Sequence, residues 1–173
     1  PQRDHLQDRI RGLDLEASVS FTGQIDFNAV PVELAKAEIF VTSSVSEVHP
    51  LTVIEAMAAG LPVVAADSPG ISDLVVDQVS GLLGSDEAGS LAERLVYLAA
   101  DCKYRERMGQ EAARAASQFR IQNTITKTLK VYERLLAERP DIARRQAHRG
   151  GRQIGNWRSR WSIPAERHER KSR

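Results

Sequence analysis

Short apolar segments alternating with a helical segment are the feature of this sequence that most restricts its fold. Residues 38–42 (EIFVT) and 62–66 (PVVAA) are short and almost entirely apolar. Between them, residues 51–59 (LTVIEAMAA) have helical character and stop at Gly60. Strands that are apolar on both faces are typical of a parallel sheet covered by helices on both sides. We therefore predict an α/β protein with a Rossmann-like parallel sheet.

Weaker signals extend this pattern towards both ends of the chain. Residues 18–22 (SVSFT) alternate, are β-prone and end at Gly23, which predicts a strand. The other predicted elements are a helix over 3–12, a helix from Asn28 as its cap to about Ala37, a short helical stretch over 71–77, a fourth strand over 81–84, and consecutive helices near 87–100, 103–117 and 122–138.

Charge divides the chain at Pro140. Residues 1–139 contain 14 Lys and Arg and 20 Asp and Glu. Residues 140–173 contain 10 Lys and Arg but only 3 Asp and Glu. The second segment also loses apolar periodicity. We expect a folded domain over 1–139 and a basic, disordered tail over 140–173. Such a tail, with Trp157 and Trp161, has the chemistry to meet nucleic acid or an anionic membrane, but we favour a solvated tail.

Composition places the chain among ordinary globular proteins. It is 42% hydrophobic and 27% charged, and its 173 residues can bury a core. The single cysteine, Cys102, excludes an intrachain disulfide and fits a reducing compartment. The longest apolar stretch, 56–66, is too short and too broken to cross a bilayer, and the first residues do not resemble a signal peptide. We expect a cytoplasmic protein, with peripheral membrane association left open.

The loop after residues 38–42 is the predicted ligand site, because doubly wound sheets bind ligands beyond the carboxyl ends of their strands. This loop (SSVSEVHP) leads into the helix that begins near Leu51. Unpaired amides at a helix start, together with the helix dipole, favour an anion such as phosphate. Glu47 and Glu55 bracket this helix start. Because carboxylates accept hydrogen bonds from vicinal hydroxyls, the combination predicts a nucleotide-sugar site.

Each of these residues also has a simpler interpretation. Thr52-x-x-Glu55 fits a capping box that needs no ligand. Glu47 taken alone is typical of a solvated loop charge. His49, which precedes Pro50, is typical of a loop or packing residue.

The run over residues 46–75 (SEVHPLTVIEAMAAGLPVVAADSPGISDLV) resembles the donor-binding signature of retaining glycosyltransferases of family four, which have the two-domain GT-B fold. The signature is a Glu, seven residues and a second Glu, here Glu47 and Glu55, followed by a helix. A Gly-x-Pro-Val-Val strand at 60–64 and a glycine-containing loop at 67–70 complete it. The resemblance covers roughly residues 1–138 and implies the C-terminal, donor-binding half of a GT-B fold.

The resemblance also implies a role for each site residue. Glu47 would hold hydroxyls of the transferred sugar and serve the transfer itself, and Glu55 would hold the ribose hydroxyls. Backbone amides of Leu51 and Thr52 would meet the pyrophosphate. The remaining implied ligand contacts are Gly23, Gln24 and Ile25 near the base, Ser43 and Ser44 in the same crevice, and His49 on the sugar side.

Two residues depart from the signature. Family members often have glycine at the position of Pro50, and proline has no N–H to offer a phosphate. His49 stands where an aromatic residue is common.

The resemblance further implies a protein about twice as long as this chain. An N-terminal domain should bind the acceptor, and an Arg and a Lys just before the present segment should neutralise the diphosphate. We therefore expect a fragment, a truncated reading frame or one partner of a split enzyme. By itself it should transfer no sugar, because catalysis needs the leaving group neutralised and the acceptor held. The sequence has no Asp-x-Asp motif, and we expect neither a metal nor a cofactor besides the donor substrate.

Two other functions fit the same residues. A nucleotide-sugar epimerase of the same two-domain fold also binds a diphosphate between its domains, although the spacing of Glu47 and Glu55 favours the transferase. In a non-catalytic interaction fragment, both carboxylates would be structural and the basic tail would bind an acidic surface.

Overall fold

Three parallel strands form the centre of the fold in the computed structural model, which describes residues 2–138. The strands are β1 (Phe40–Thr42), β2 (Val63–Ala66) and β3 (Gly81–Gly84), and they lie in the order β1-β2-β3. Phe40 pairs with Val63, which in turn pairs with Gly81. Because the pairing is parallel, the loops that follow the strands all leave the same edge of the sheet.

Helices make up most of the rest of residues 2–138. In order they are α1 (Gln2–Arg11), α2 (Val30–Leu34), α3 (Leu51–Ala58), α4 (Pro69–Ser72), α5 (Ala88–Ala100), α6 (Cys102–Ala116) and α7 (Ile121–Glu138), with short 3-10 helices at Phe27–Ala29 and Ser117–Phe119. Residues up to Arg120 form one compact unit with the sheet, and α7 belongs to a second unit.

Helices bury both faces of β2, whose four residues are all fully buried. On one face, Val63 and Ala65 lie in a cluster with Met57 of α3. On the other face, Val64 lies in a second cluster with Leu98 of α5. The α/β fold with a Rossmann-like parallel sheet and helices on both faces, predicted from the apolar runs, is therefore confirmed.

The end of α3 packs directly against α6. Gly60 follows α3 with a φ of 82°, a left-handed conformation that glycine adopts without strain. A Cβ on Gly109 of α6 would overlap the carbonyl oxygen of Gly60. The close approach therefore needs glycine at position 109, whereas the left-handed conformation after α3 favours glycine at position 60.

Gly109→Ala should lower the free energy of unfolding by about 1–3 kcal/mol, because the added methyl group forces α3 and α6 apart. Urea denaturation measures this change. The matched control is Gly89→Ala in α5, where a Cβ meets no atom within 4 Å. There we expect equal or greater stability, since alanine favours a helix over glycine by about 1 kcal/mol. Equal stabilities for the two variants would contradict the packing described.

Most predicted elements are present within a few residues of their predicted bounds. The strands at 38–42, 62–66 and 81–84 correspond to β1, β2 and β3. The stretch predicted to be helical over 71–77 is helical only over Pro69–Ser72. The helices predicted over 3–12, 51–59, 87–100, 103–117 and 122–138 correspond to α1, α3, α5, α6 and α7.

The strand predicted over 18–22 is wrong. These residues form no strand, and Val19 and Phe21 are 41% and 38% exposed. Alternation shows that a segment has an apolar face, but a strand also needs a neighbour to complete its backbone hydrogen bonds. Within residues 2–138, no strand of the sheet pairs with this segment.

The predicted start of the next helix is also wrong by two residues. Asp26, rather than Asn28, is the capping residue, because its Oδ1 accepts a hydrogen bond of 2.9 Å from the backbone N–H of Asn28. The chain then forms the 3-10 helix Phe27–Ala29 and continues as α2. Both side chains are good caps, so composition alone did not distinguish them. The predicted tail over 140–173 lies outside the described residues.

Candidate functional site

The start of α3 presents two unpaired backbone donors. Pro50 precedes the helix in an extended conformation, and no side chain caps it. The N–H groups of Val53 and Ile54 both donate to the Pro50 carbonyl, at 3.2 and 3.3 Å. The N–H groups of Leu51 and Thr52 have no acceptor among residues 2–138. The tip of α3 is thus open to an external acceptor such as a phosphate.

The capping-box interpretation of Thr52 and Glu55 is wrong. A capping box places the hydroxyl residue just before the helix and the carboxylate at its third position. Here α3 begins at Leu51, so Thr52 is its second residue and Glu55 its fifth. The Glu55 side chain is half-buried and has no hydrogen bond or ion pair within the described part of the chain. Its carboxylate is therefore not used in capping this helix.

The side chain of Glu47 is hydrogen-bonded to a residue just beyond the end of β1. Its Oε1 accepts a hydrogen bond of 3.0 Å from the hydroxyl of Ser44, two residues beyond the strand. The side chain of Glu47 is otherwise exposed, so its second oxygen is accessible. Neighbouring Ser43 is exposed as well. Ser44 therefore orients the carboxylate, a role that sequence analysis did not assign to it.

The loop after β2 packs against the backbone of Glu47. A Cβ on Gly70 would overlap the carbonyl oxygen of Glu47 and crowd the carbonyl carbon of Val48. The structure thereby brings together the first Glu of the signature and its glycine-containing loop, which lie more than 20 residues apart in the sequence. This contact fixes the path of the chain from β1 to α3.

Two further interactions hold the loop after β2 in place. The N–H of Asp67 donates to the Gly84 carbonyl at 2.7 Å, and the hydroxyl of Ser72 donates to Oδ1 of Asp67 at 2.5 Å. Ser68 is 6% exposed, and its hydroxyl has no hydrogen-bond partner among the described residues. Nothing in the sequence indicated this buried polar atom.

His49 packs against another ring. Its imidazole lies edge to face on Phe119, with ring centroids 5.4 Å apart. The packing interpretation is therefore supported for this residue. The histidine remains exposed, so a contact with the sugar stays a prediction.

The loop Gly23–Ile25 is not brought to this site by any hydrogen bond, ion pair or ring contact within residues 2–138. Gly23 has a φ of 69°, a left-handed conformation that favours glycine, and Gln24 is exposed. A role for these residues near a base stays a prediction.

Neither a metal cluster nor a membrane span occurs in the described residues. No three His, Cys, Asp or Glu side chains within 2–138 are placed to hold an ion together. None of the helices in this range combines the length and apolar character that a bilayer crossing requires.

Gly70→Ala should displace the Glu47–Val48 backbone, because the added methyl group would overlap a carbonyl oxygen that belongs to a different loop. We expect large changes in the amide chemical shifts of Glu47 and Val48 and a loss of about 1–3 kcal/mol in unfolding free energy. Gly89→Ala is again the matched control. Unchanged shifts at Glu47 and Val48 would show that the two loops are not in contact.

Comparison with known proteins assigns the chain to an enzyme family. The profile of the family "Glycosyl transferases group 1" matches residues 1–115. A D-inositol 3-phosphate glycosyltransferase of Salinispora arenicola is 34% identical over 135 residues, which cover 77% of this chain and 30% of that protein.

Solved structures give the same fold. Sucrose-phosphate synthase from Thermosynechococcus elongatus aligns with a TM-score of 0.72 and 27% identity, over 79% of this chain and 35% of that one. Anabaena Alr3699/HepE in complex with UDP and glucose aligns with a TM-score of 0.65 and 28% identity, over 74% of this chain and 36% of that one. The chain thus spans about a third of the length of these relatives.

Proposed function

The chain belongs to the group 1 glycosyl transferases, and we propose that it is the part of such an enzyme that binds the nucleotide-diphosphate sugar. The observation that carries this proposal is the tip of α3. The amides of Leu51 and Thr52 have no acceptor among residues 2–138, and in the sequence they stand between Glu47 and Glu55, two carboxylates that take no part in capping the helix.

This arrangement suits the two chemical characters of the donor. A diphosphate is strongly anionic and accepts hydrogen bonds from free amides at the positive end of a helix. Sugar and ribose hydroxyls donate to carboxylate oxygens. A ligand with its phosphates at the centre and hydroxyls at both ends fits this order of groups. The structural likeness to a protein bound to UDP and glucose supports the same ligand class.

Within this proposal, each carboxylate has its own end of the donor. Glu47, oriented by Ser44, binds hydroxyls of the transferred sugar, and its charge stabilises the positive character that develops on the sugar as the diphosphate departs. Glu55 binds the ribose hydroxyls. His49 and Ser43 lie in the same segment and extend the sugar side, while Gly23, Gln24 and Ile25 approach the base.

Transfer to an acceptor, with retention of configuration, needs more protein than this chain. We propose that a further domain supplies the acceptor site and the cations that neutralise the diphosphate. The chain alone then binds a nucleoside diphosphate weakly and transfers no sugar, since binding one substrate does not bring the reactants together. The family match favours this transferase over an epimerase or a non-catalytic fragment.

Glu55→Ala should weaken binding of a nucleoside diphosphate by about 1–3 kcal/mol, because the ribose loses a charged acceptor. Calorimetric titration of the chain with UDP, GDP and ADP measures the affinity. Glu106→Ala, which removes an exposed carboxylate from α6, is the matched control and should change nothing.

Circular dichroism separates a loss of affinity from a loss of folding in the Glu55 variant. An unchanged affinity in a folded Glu55→Ala chain would exclude the ribose contact. Failure of all three nucleotides to bind the unaltered chain would exclude the donor site itself.

A further inference from the structure

A cleft of about 370 Å³ lies beside β3, the edge strand on the far side of the sheet from β1. Leu82 and Leu83 of β3 form its apolar floor. Its walls are polar and aromatic side chains from the turn before β3 and from α5 and α6. The cleft is therefore separate from the tip of α3, which follows β1.

Backbone groups on the edge of β3 that borders this cleft already have hydrogen-bond partners. The N–H of Leu83 donates to Oδ1 of Asp77 at 2.8 Å, and its carbonyl accepts from Nε of Arg94. The carbonyl of Gly81 accepts from the N–H of Gln78 at 2.8 Å. A ligand that adds a strand needs free backbone groups, and these are occupied. The cleft is consequently built for side-chain recognition of its ligand.

Charge at the cleft does not favour an anion. Nη1 of Arg94 donates to the carbonyl and the hydroxyl of Ser90, at 3.0 and 2.9 Å. Its Nε donates to the Leu83 carbonyl of β3. Asp77 and Glu93 add two carboxylates to the wall. Glu93 is exposed and has no hydrogen bond or ion pair within the described range. Asp77 already accepts from Leu83 at Oδ1 and from Nε2 of Gln78 at Oδ2, the latter at 3.4 Å. Glu93 is therefore the carboxylate of the cleft that offers free hydrogen-bond acceptors within this range.

An aromatic pair forms the remaining wall. Tyr97 is 62% exposed and meets Tyr104 edge to face, with centroids 5.7 Å apart. Tyr104 is held in place because its hydroxyl donates to the Gln78 carbonyl at 3.4 Å and Arg107 lies over its ring at 5.2 Å. Burial raises the pKa of Tyr104, with Tyr97 and Asp77 adding to the effect and Arg107 opposing it. Tyr97 is thus largely exposed at the cleft and packs on a neighbour that is held in place.

The geometry points to a second carbohydrate site: we propose that the cleft binds one neutral sugar unit of a glycan. The CH groups of a pyranose carry slight positive charge and pack on the negative face of an aromatic ring, here Tyr97. Its hydroxyls are donors for Glu93 and the side-chain oxygen of Gln78. The volume of about 370 Å³ lies within the range of small-ligand sites. This site is distinct from the donor site and does not depend on it.

Titration of the isotope-labelled full chain with neutral hexasaccharides tests the proposal. The probes are maltohexaose, an α-1,6-linked mannohexaose and cellohexaose. At least one should shift the Tyr97 ring signals, and the backbone amide signals of Gln78 and Glu93, which remain observable in the Tyr97 variants, with a dissociation constant of about 1–10 mM. Tyr97→Ala should weaken that binding about tenfold, whereas Tyr97→Phe should retain it because the ring face remains. Tyr132→Ala is the matched control, since Tyr132 is similarly exposed on α7.

Several results would overturn the proposal. They are no ring shift with any of the three glycans, unaltered affinity in Tyr97→Ala, and an equal loss in Tyr132→Ala. Preferential binding of tetralysine at Tyr97 would assign the cleft to cations instead. Excess UDP should leave the shifts unchanged, and competition by UDP would place the sugar at α3. Failure of UDP to bind at all would affect the donor proposal alone.

Discussion

Burial of β2 on both faces is the constraint on which the rest of the structure depends. Its four residues are all fully buried, with α3 and α4 on one side and α5 on the other. Because the flanking strands pair with β2 in parallel, the loops after β1 and β2 must leave the same edge. This is why the backbone of Glu47 and Gly70 can meet, and why the tip of α3 lies beside that contact. The candidate site is a consequence of how the core is packed.

Sequence alone predicted those parts of the molecule that depend on local pattern. Apolar runs identified β1, β2 and β3, and Gly60 correctly marked the end of α3. The choice of Asn28 over Asp26 as a cap failed because two neighbouring side chains have the same capacity. The strand at 18–22 failed for a different reason, since pairing depends on a partner elsewhere in the chain. Local sequence pattern therefore predicts that a helix or strand exists better than it predicts which other residues that element contacts.

The site shows the same division. The resemblance named Glu47, Glu55 and the tip of α3, but it did not indicate the contacts that position them. The hydrogen bond from Ser44 to Glu47 depends on the path of the loop, and the Gly70 contact depends on the packing of β2. The ring contact of His49 is with Phe119, 70 residues along the chain. The register of α3 excluded a capping box that the spacing of Thr52 and Glu55 had allowed.

Binding of the diphosphate by the amides of Leu51 and Thr52 is what makes the tip of α3 a donor site. Amide chemical shifts of the labelled chain during titration with UDP test it most directly. These two amides should move most strongly downfield and saturate together with the affinity measured by calorimetry. The largest shifts in another part of the chain, with Leu51 and Thr52 unmoved at saturation, would contradict it.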